Sequence, residues 1–354
     1  MPDITKIDKN FAVEKKLNQE GINFYNPLLK PFEINGVKYD DGVFFRLPPS
    51  LAEKVSEGVG ILSYHTAGGR IRFRTDSPYV AIIVKYKNVC KMDHFAFCGS
   101  IGFDLYADNN YVGTFRPSVD IVDTLESIVH IRTGGGGMRE ITINMPLYSS
   151  VYSIQVGLDK NAKIQAPTPY INKKPIVYYG SSTTQGGCAS RPGTCYQANI
   201  SRELNVDYIN LGFSGSAKAE DLMIDYIKSL DMSAFVYDYD NNAPTVEHLQ
   251  NTHEKMFTAI RTAHPDIPII MMSRPIRLRR EDEQARLEIV KATYLKAKAN
   301  GDENVYFLDG DDLTKLCGNN GTVDNSHPTD FGFASMSTAL VELIKKEGID
   351  KKLV

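Results

Sequence analysis

Ile176-Val177-Tyr178-Tyr179-Gly180-Ser181-Ser182-Thr183-Thr184-Gln185-Gly186-Gly187 begins as an unbroken apolar run, stops at a glycine and passes into serines, threonines and more glycines. A short apolar run without polar alternation is the mark of a strand covered on both faces, as in a parallel sheet. Similar runs follow at Tyr208 to Leu211, Ala234 to Tyr237, Ile267 to Met272 and Val305 to Leu308. Between them, apolar residues recur at helical spacing. Leu222, Met223, Tyr226, Ile227 and Leu230 share one face, and Leu249, Met256, Phe257 and Ile260 the next. Leu287, Val290 and Tyr294 share a third, in a helix expected to stop at Gly301. The alternation predicts an α/β domain with a parallel five-stranded sheet, whose ligands bind beyond the carboxyl ends of the strands.

Upstream of residue 165 the period changes. Arg70 to Arg74, Tyr79 to Tyr86, Glu140 to Asn144 and Val151 to Val156 alternate apolar and polar residues, as strands with one buried face do. Turn signals separate them at Gly68-Gly69, Asp108-Asn109-Asn110 and the run Gly134 to Gly137. One helix is expected, around Pro49 to Glu57. Many short strands and few helices predict a β-sandwich or jelly-roll. The stretch AKIQAPTPYINKKP, with three prolines and no periodicity, reads as a linker. The expected domains are therefore all-β over 1–165, a linker over 166–174 and α/β over 175–354.

Composition narrows the function. The chain has 354 residues, with 40 Lys+Arg against 43 Asp+Glu and a net charge of −3, so it lacks the basic excess of a nucleic-acid binder. No stretch is apolar enough to span a membrane. The N-terminal MPDITKIDKNFAVEKK has no apolar core of a signal peptide, and five Cys do not form an even disulfide framework. A cytoplasmic protein with free thiols is expected.

Chemistry is sought at the strand ends. Ser182 lies just past the first strand, where the loop lacks both the Gly-Lys-Ser/Thr ending of a P-loop and the spacing of a dinucleotide fingerprint. A serine nucleophile needs a base. Of seven histidines, His264 ends a helix, His248 and His253 are five apart and so not a metal pair, and His65, His94 and His130 read as ordinary surface or sheet residues. His327 differs, because Asp324-Asn325-Ser326-His327-Pro328 supplies an imidazole and a carboxylate in one turn after the last strand. Two other strand ends offer oxyanion donors: the Gly215 amide within Gly212-Phe213-Ser214-Gly215-Ser216, and an Asn side chain within Asp238-Tyr239-Asp240-Asn241-Asn242. Arg274, at the end of the fourth strand, and Arg191 are expected at the mouth as substrate-binding residues, with a surface ion pair as the plainer reading of Arg191.

Taken in order, these segments resemble the SGNH, or G-D-S-L-type, hydrolase superfamily, over roughly Lys173 to the C-terminus. The resemblance implies a flavodoxin-like three-layer fold. It makes Ser182 the nucleophile, Asp324 and His327 its partners, and the Ser182 amide, Gly215 and Asn242 the oxyanion hole. Two positions depart from the pattern: Ser181 replaces the Asp of the name motif, and Asp240 replaces a Gly of the third block. Asn241 and Asn242 are neighbours, and spacing favours Asn242 as the donor. Gly102-Phe103-Asp104-Leu105-Tyr106 matches the Gly-x-Asp-Leu-Tyr signature of the β-sandwich preceding one branch of these hydrolases, and Gly186 to Gly193 is similar to that branch too.

The resemblance implies a serine esterase acting on small acyl esters, acetyl above all, of carbohydrates. No metal or organic cofactor is required. The expected partner is a small-molecule or oligosaccharide ester, with no nucleic acid and no membrane, and homo-oligomer formation is left open. Two alternatives stand beside this: an acyltransferase using the same triad, and a non-catalytic carbohydrate-binding protein. The sandwich is expected to act mainly in packing, with His65 as a residue it could lend to the cleft.

Overall fold

The computed structural model describes residues 4–132 and 136–353; Gly134 and Gly135 of the glycine run lie outside them. In the N-terminal half, two antiparallel sheets face each other. One orders its strands Ile22–Tyr25, Ser150–Asp159, Tyr79–Asn88 and Thr124–His130. The other runs Ile164–Gln165, Arg70–Thr75, Arg139–Asn144, Phe103–Ala107 and Asn110–Phe115, with Glu33–Asn35 also on Arg70–Thr75. Ile71, Phe73, Phe103, Leu105, Ile141 and Ile143 from the second sheet meet Val80, Ile82, Val84, Ile154 and Val156 from the first, which makes a β-sandwich core. The single helix expected near Pro49 is two, Pro49–Val55 and Glu57–Leu62. Ser56 between them is extended (φ −170°) and caps the second by accepting from the Val59 amide.

The C-terminal half contains β1 (Ile176–Gly180), β2 (Tyr208–Gly212), β3 (Ala234–Asp238), β4 (Ile269–Met272) and β5 (Val305–Leu308). They form one parallel sheet in the order 2-1-3-4-5, the doubly wound flavodoxin-like order. Its helices are α1 (Ser182–Gln185), α2 (Tyr196–Leu204), α3 (Asp221–Lys228), α4 (Val246–Ala263), α5 (Glu281–Ala299) and α6 (Asp330–Lys346). Alternation along β1 divides the core. Ile176 and Tyr178 face the layer containing Tyr196 and Phe333, whereas Val177 and Tyr179 face Met223, Met256 and Val290. Every residue of β1 is buried, as its unbroken apolar run requires.

Both layers also take in the sandwich half: Ala67, Phe95, Leu147 and Tyr148 join one, and Leu47, Ala52 and Val59 the other. The strand Arg70–Thr75 accordingly departs from half-exposed alternation, since Arg70 and Arg72 are buried rather than solvated. The Arg70 guanidinium stacks 3.8 Å from the Tyr208 ring and pairs with Asp207, and Arg72 stacks 3.8 Å from Tyr170. The proline-rich stretch is a packed strap. Thr168 is bonded to Glu140, and the Asn172 amide group to the carbonyls of Lys174 and Asp207.

Candidate active site

Ser182 opens α1 directly after β1, at the point where the sheet runs to β2 on one side and β3 on the other. Ser181 caps the turn by accepting from the Thr183 amide at 3.1 Å. A carboxylate from the neighbouring strand braces the same turn. Asp238 Oδ1 accepts from the Ser181 amide (2.9 Å) and the Thr184 hydroxyl (2.7 Å). A Cβ on Gly180 would collide with that oxygen, so only glycine fits there. Burial pushes the Asp238 carboxyl up to about 7, against the Thr184 and Ser181 hydrogen bonds.

His327 and Asp324 pair as the spacing predicts. His327 Nδ1 is 2.7 Å from Asp324 Oδ2, and Asp324 Oδ1 accepts from the amides of Ser326 and His327. Burial alone would raise the Asp324 carboxyl, but the bonds from the His327 amide and ring hold it below its ordinary value. Gly187 brings this pair to the serine turn. A Cβ there would lie 2.9 Å from the Tyr148 hydroxyl, 3.1 Å from the Ser182 carbonyl oxygen and 3.3 Å from His327 Cδ2. Ser182 itself is 8% exposed.

The two candidate donor loops are joined. Asn242 Nδ2 donates to the Phe213 carbonyl at 2.9 Å, two residues before Gly215. Gly215 has φ +64°, with open space where a Cβ would sit. Asn241 is exposed and Asn242 half-buried. Asp240, the second departure, is a buried brace. Its Oδ2 accepts from the Arg274 amide (3.0 Å), its Oδ1 from the Asn241 amide (2.8 Å), and burial pushes it up to about 6.

Both arginines are engaged by protein groups, Arg191 in the ion pair that was its plainer reading. Arg274 pairs with Glu283 and donates to Ser326 Oγ at 3.0 Å, so its guanidinium grips the loop carrying His327. Arg191 bonds to Asp104 Oδ2 (3.1 Å) and the Tyr106 hydroxyl, and its guanidinium stacks 3.8 Å from Tyr111. Asp104 also accepts from the Gly193 amide (2.8 Å) and from Asn144 (2.7 Å). The Gly-x-Asp-Leu-Tyr signature and the Arg191-Pro192-Gly193 segment thus recognise one another, and a Cβ on Gly193 would strike Tyr106, Asp104 and Asn144.

The sandwich contributes His65, which the sequence offered as a residue lent to the cleft, together with Arg46 and His94, which it did not. His65 is buried, and its Nδ1 is 3.1 Å from Gln185 Nε2, while Gln185 Oε1 accepts from the Ser214 amide (3.0 Å). Burial, aided by the Arg46 charge, lowers His65 to about 3, so it stays neutral. Arg46 donates to the carbonyls of His65, Leu62, Asn210 and Gly212, bracing the end of β2. His94 is no ordinary surface residue: its Nε2 is 3.9 Å from Asp324 Oδ2 and its ring centroid 5.7 Å from that of His327. Lone histidines far away in sequence carry no spacing signal that could have found these contacts. His253 is structural, stacked on Tyr237 and bonded to Thr293. A concavity of about 730 Å³ lies between Lys228 and α4, and none of the candidate residues lines it.

Residues 173–345 match the GDSL-like lipase/acylhydrolase family, and residues 22–164 match the N-terminus of SGNH-hydrolase-type esterases. Among solved structures, the chain is similar to a GDSL-like lipase from Bacteroides ovatus, with 26% identity, TM-score 0.81, and 92% of this chain and 98% of that one covered. The salicylyl-acyltransferase SsfX3 of a tetracycline biosynthetic pathway gives 20% and 0.74, covering 94% and 99%. A family two carbohydrate esterase from Clostridium thermocellum, in complex with cellohexaose, gives 15% and 0.61, covering 90% and 99%. No curated protein matches by sequence.

Proposed function

The chain belongs to the GDSL-like lipase/acylhydrolase family and is an esterase, and from that premise we propose that it removes small acyl groups, acetyl first, from carbohydrate esters through Ser182, His327 and Asp324. The observation that carries this reading is the 2.7 Å His327–Asp324 pair lying against the Ser182 turn. With Nδ1–H donated to Asp324, the lone pair of His327 is on Nε2, where it accepts the Ser182 proton as Oγ attacks the ester carbonyl. The oxyanion is held by the Ser182 and Gly215 amides and the second N–H of Asn242. Collapse of the tetrahedral intermediate expels the alcohol, which takes the proton back from His327. Water then attacks the acyl-enzyme with His327 again as base, freeing the acid and Ser182.

Carbohydrate as the alcohol is supported by the shared two-domain fold of family two carbohydrate esterases. The fold shared with a salicylyl-acyltransferase favours a second reading, in which an alcohol or amine replaces water. Hydrolysis of 4-nitrophenyl acetate, butyrate and octanoate by wild type and Ser182→Ala tests the first. Acetate is expected to be hydrolysed fastest, with activity lost in the variant; activity kept without Ser182 sinks the nucleophile. Ester product that forms only when an acceptor alcohol is added would establish the transferase instead.

A further inference from the structure

Three donor atoms of a kind that metals prefer converge beside the candidate triad. One nitrogen each from His94 and His327 and the Sγ of Cys188 all lie within 4.8 Å of one another. They come from three segments with separate anchors. His94 sits in the turn closed by the Met92–Phe95 bridge, and the buried Phe95 packs edge-on to Tyr148 at 5.3 Å. Cys188 leaves the serine turn with φ +71°, a left-handed conformation uncommon for cysteine. His327 is held by Asp324.

We propose that His94, Cys188 and His327 form a Zn²⁺ site through which zinc reversibly switches the enzyme off. Two imidazoles and a thiolate select Zn²⁺ over Mg²⁺ or Ca²⁺, which take oxygen ligands. Zinc–nitrogen bonds of about 2.0–2.1 Å and zinc–sulfur bonds of about 2.3 Å place tetrahedral ligand atoms roughly 3.3–3.8 Å apart, so the cluster closes by about 1 Å through side-chain rotation. Asp324, whose Oδ2 is 3.9 Å from His94 Nε2, or water supplies the fourth ligand. On binding, the Cys188 thiol loses its proton to solvent and its sulfur bonds to the metal.

Either ring nitrogen of His327 given to zinc ends catalysis. Bonding through Nε2 occupies the lone pair that must take the Ser182 proton, and bonding through Nδ1 strips the ring from Asp324. The inhibitory half of the proposal rests on His327 as the catalytic base; the binding half does not. Because His94 belongs to the sandwich, that domain becomes a sensor of free zinc at the cleft rim.

The test titrates metal-stripped protein with ZnSO₄ against a chromogenic chelator, with acetate-ester hydrolysis measured on the same samples. Wild type and Ser182→Ala are expected to bind one equivalent, and wild-type activity to fall with occupancy and return on adding EDTA. Cys188→Ser should hydrolyse at the wild-type rate without zinc, and in both Cys188→Ser and His94→Asn the half-inhibitory zinc concentration, read against each variant's own zinc-free rate, should rise roughly tenfold or more. Equal zinc sensitivity in both variants, no bound equivalent, or a bound equivalent with activity intact would each overturn the switch. One equivalent bound through His94 and Cys188 in a protein whose hydrolysis survives loss of Ser182 would uphold the site and reject the esterase triad instead.

Discussion

Asp238 braces the Ser181–Thr184 turn from a neighbouring strand, and this leaves a signature in stability. Its folded value of about 7 lies above the ordinary carboxylate range. The native state therefore keeps a proton that the unfolded chain has released above about pH 4, and stability falls as pH rises from there through 7. Asp238→Asn keeps an oxygen to accept from Ser181 and Thr184 and removes the titration. Its melting temperature is expected to stay flatter than wild type between pH 4 and 7.5; parallel curves would show that Asp238 does not titrate in this range. Asn242 is the oxyanion donor proposed above. Losing one oxyanion donor typically costs about 10²–10³ in kcat, and Asn242→Ala should show that loss, whereas Asn241→Ala should leave kcat near wild type.

At the scale of elements, the site is a set of strand-end turns locked to one another by side chains distant in sequence. Asp240 ties the end of β3 to the start of the loop after β4, and Arg286 from α5 donates to the Asp240 and Ala243 carbonyls around Asn242. Arg274 ties that loop to the His327 turn through Ser326. Arg274→Ala should therefore lower kcat and melting temperature together while leaving KM for a small acetate ester nearly unchanged. A rise in KM with kcat intact would return Arg274 to the substrate mouth, where its position at a strand end first suggested it belonged. The elements themselves were legible because their periods differ. Five apolar runs became five parallel strands, with the fourth shortened to Ile269–Met272. The break at Ser56 was not legible, since a capping serine inside a helical pattern reads equally as a helical residue.

For the whole molecule, the two halves share cores on both faces of the parallel sheet, and the buried Arg46 and Arg70 bridge them. Such continuity predicts one cooperative thermal transition, with far-UV circular dichroism and esterase activity lost at the same temperature; two separated transitions would mean the halves unfold independently. No helix among the described residues is long and apolar enough to cross a membrane. What the sequence by itself determined was local: strand and helix periods, the Gly-Ser turn after β1, and the Asp324–His327 spacing, each set by residues within a few positions of one another. Only the tertiary structure decided that Asp238 braces the Ser181 turn, that Arg191 joins the two signatures, and that His65 and His94 of the sandwich meet Gln185 and Asp324. Those contacts join residues from 57 to 230 positions apart in chain numbering. Pairings at that separation are set by how two packed layers meet, and leave no periodicity in the sequence.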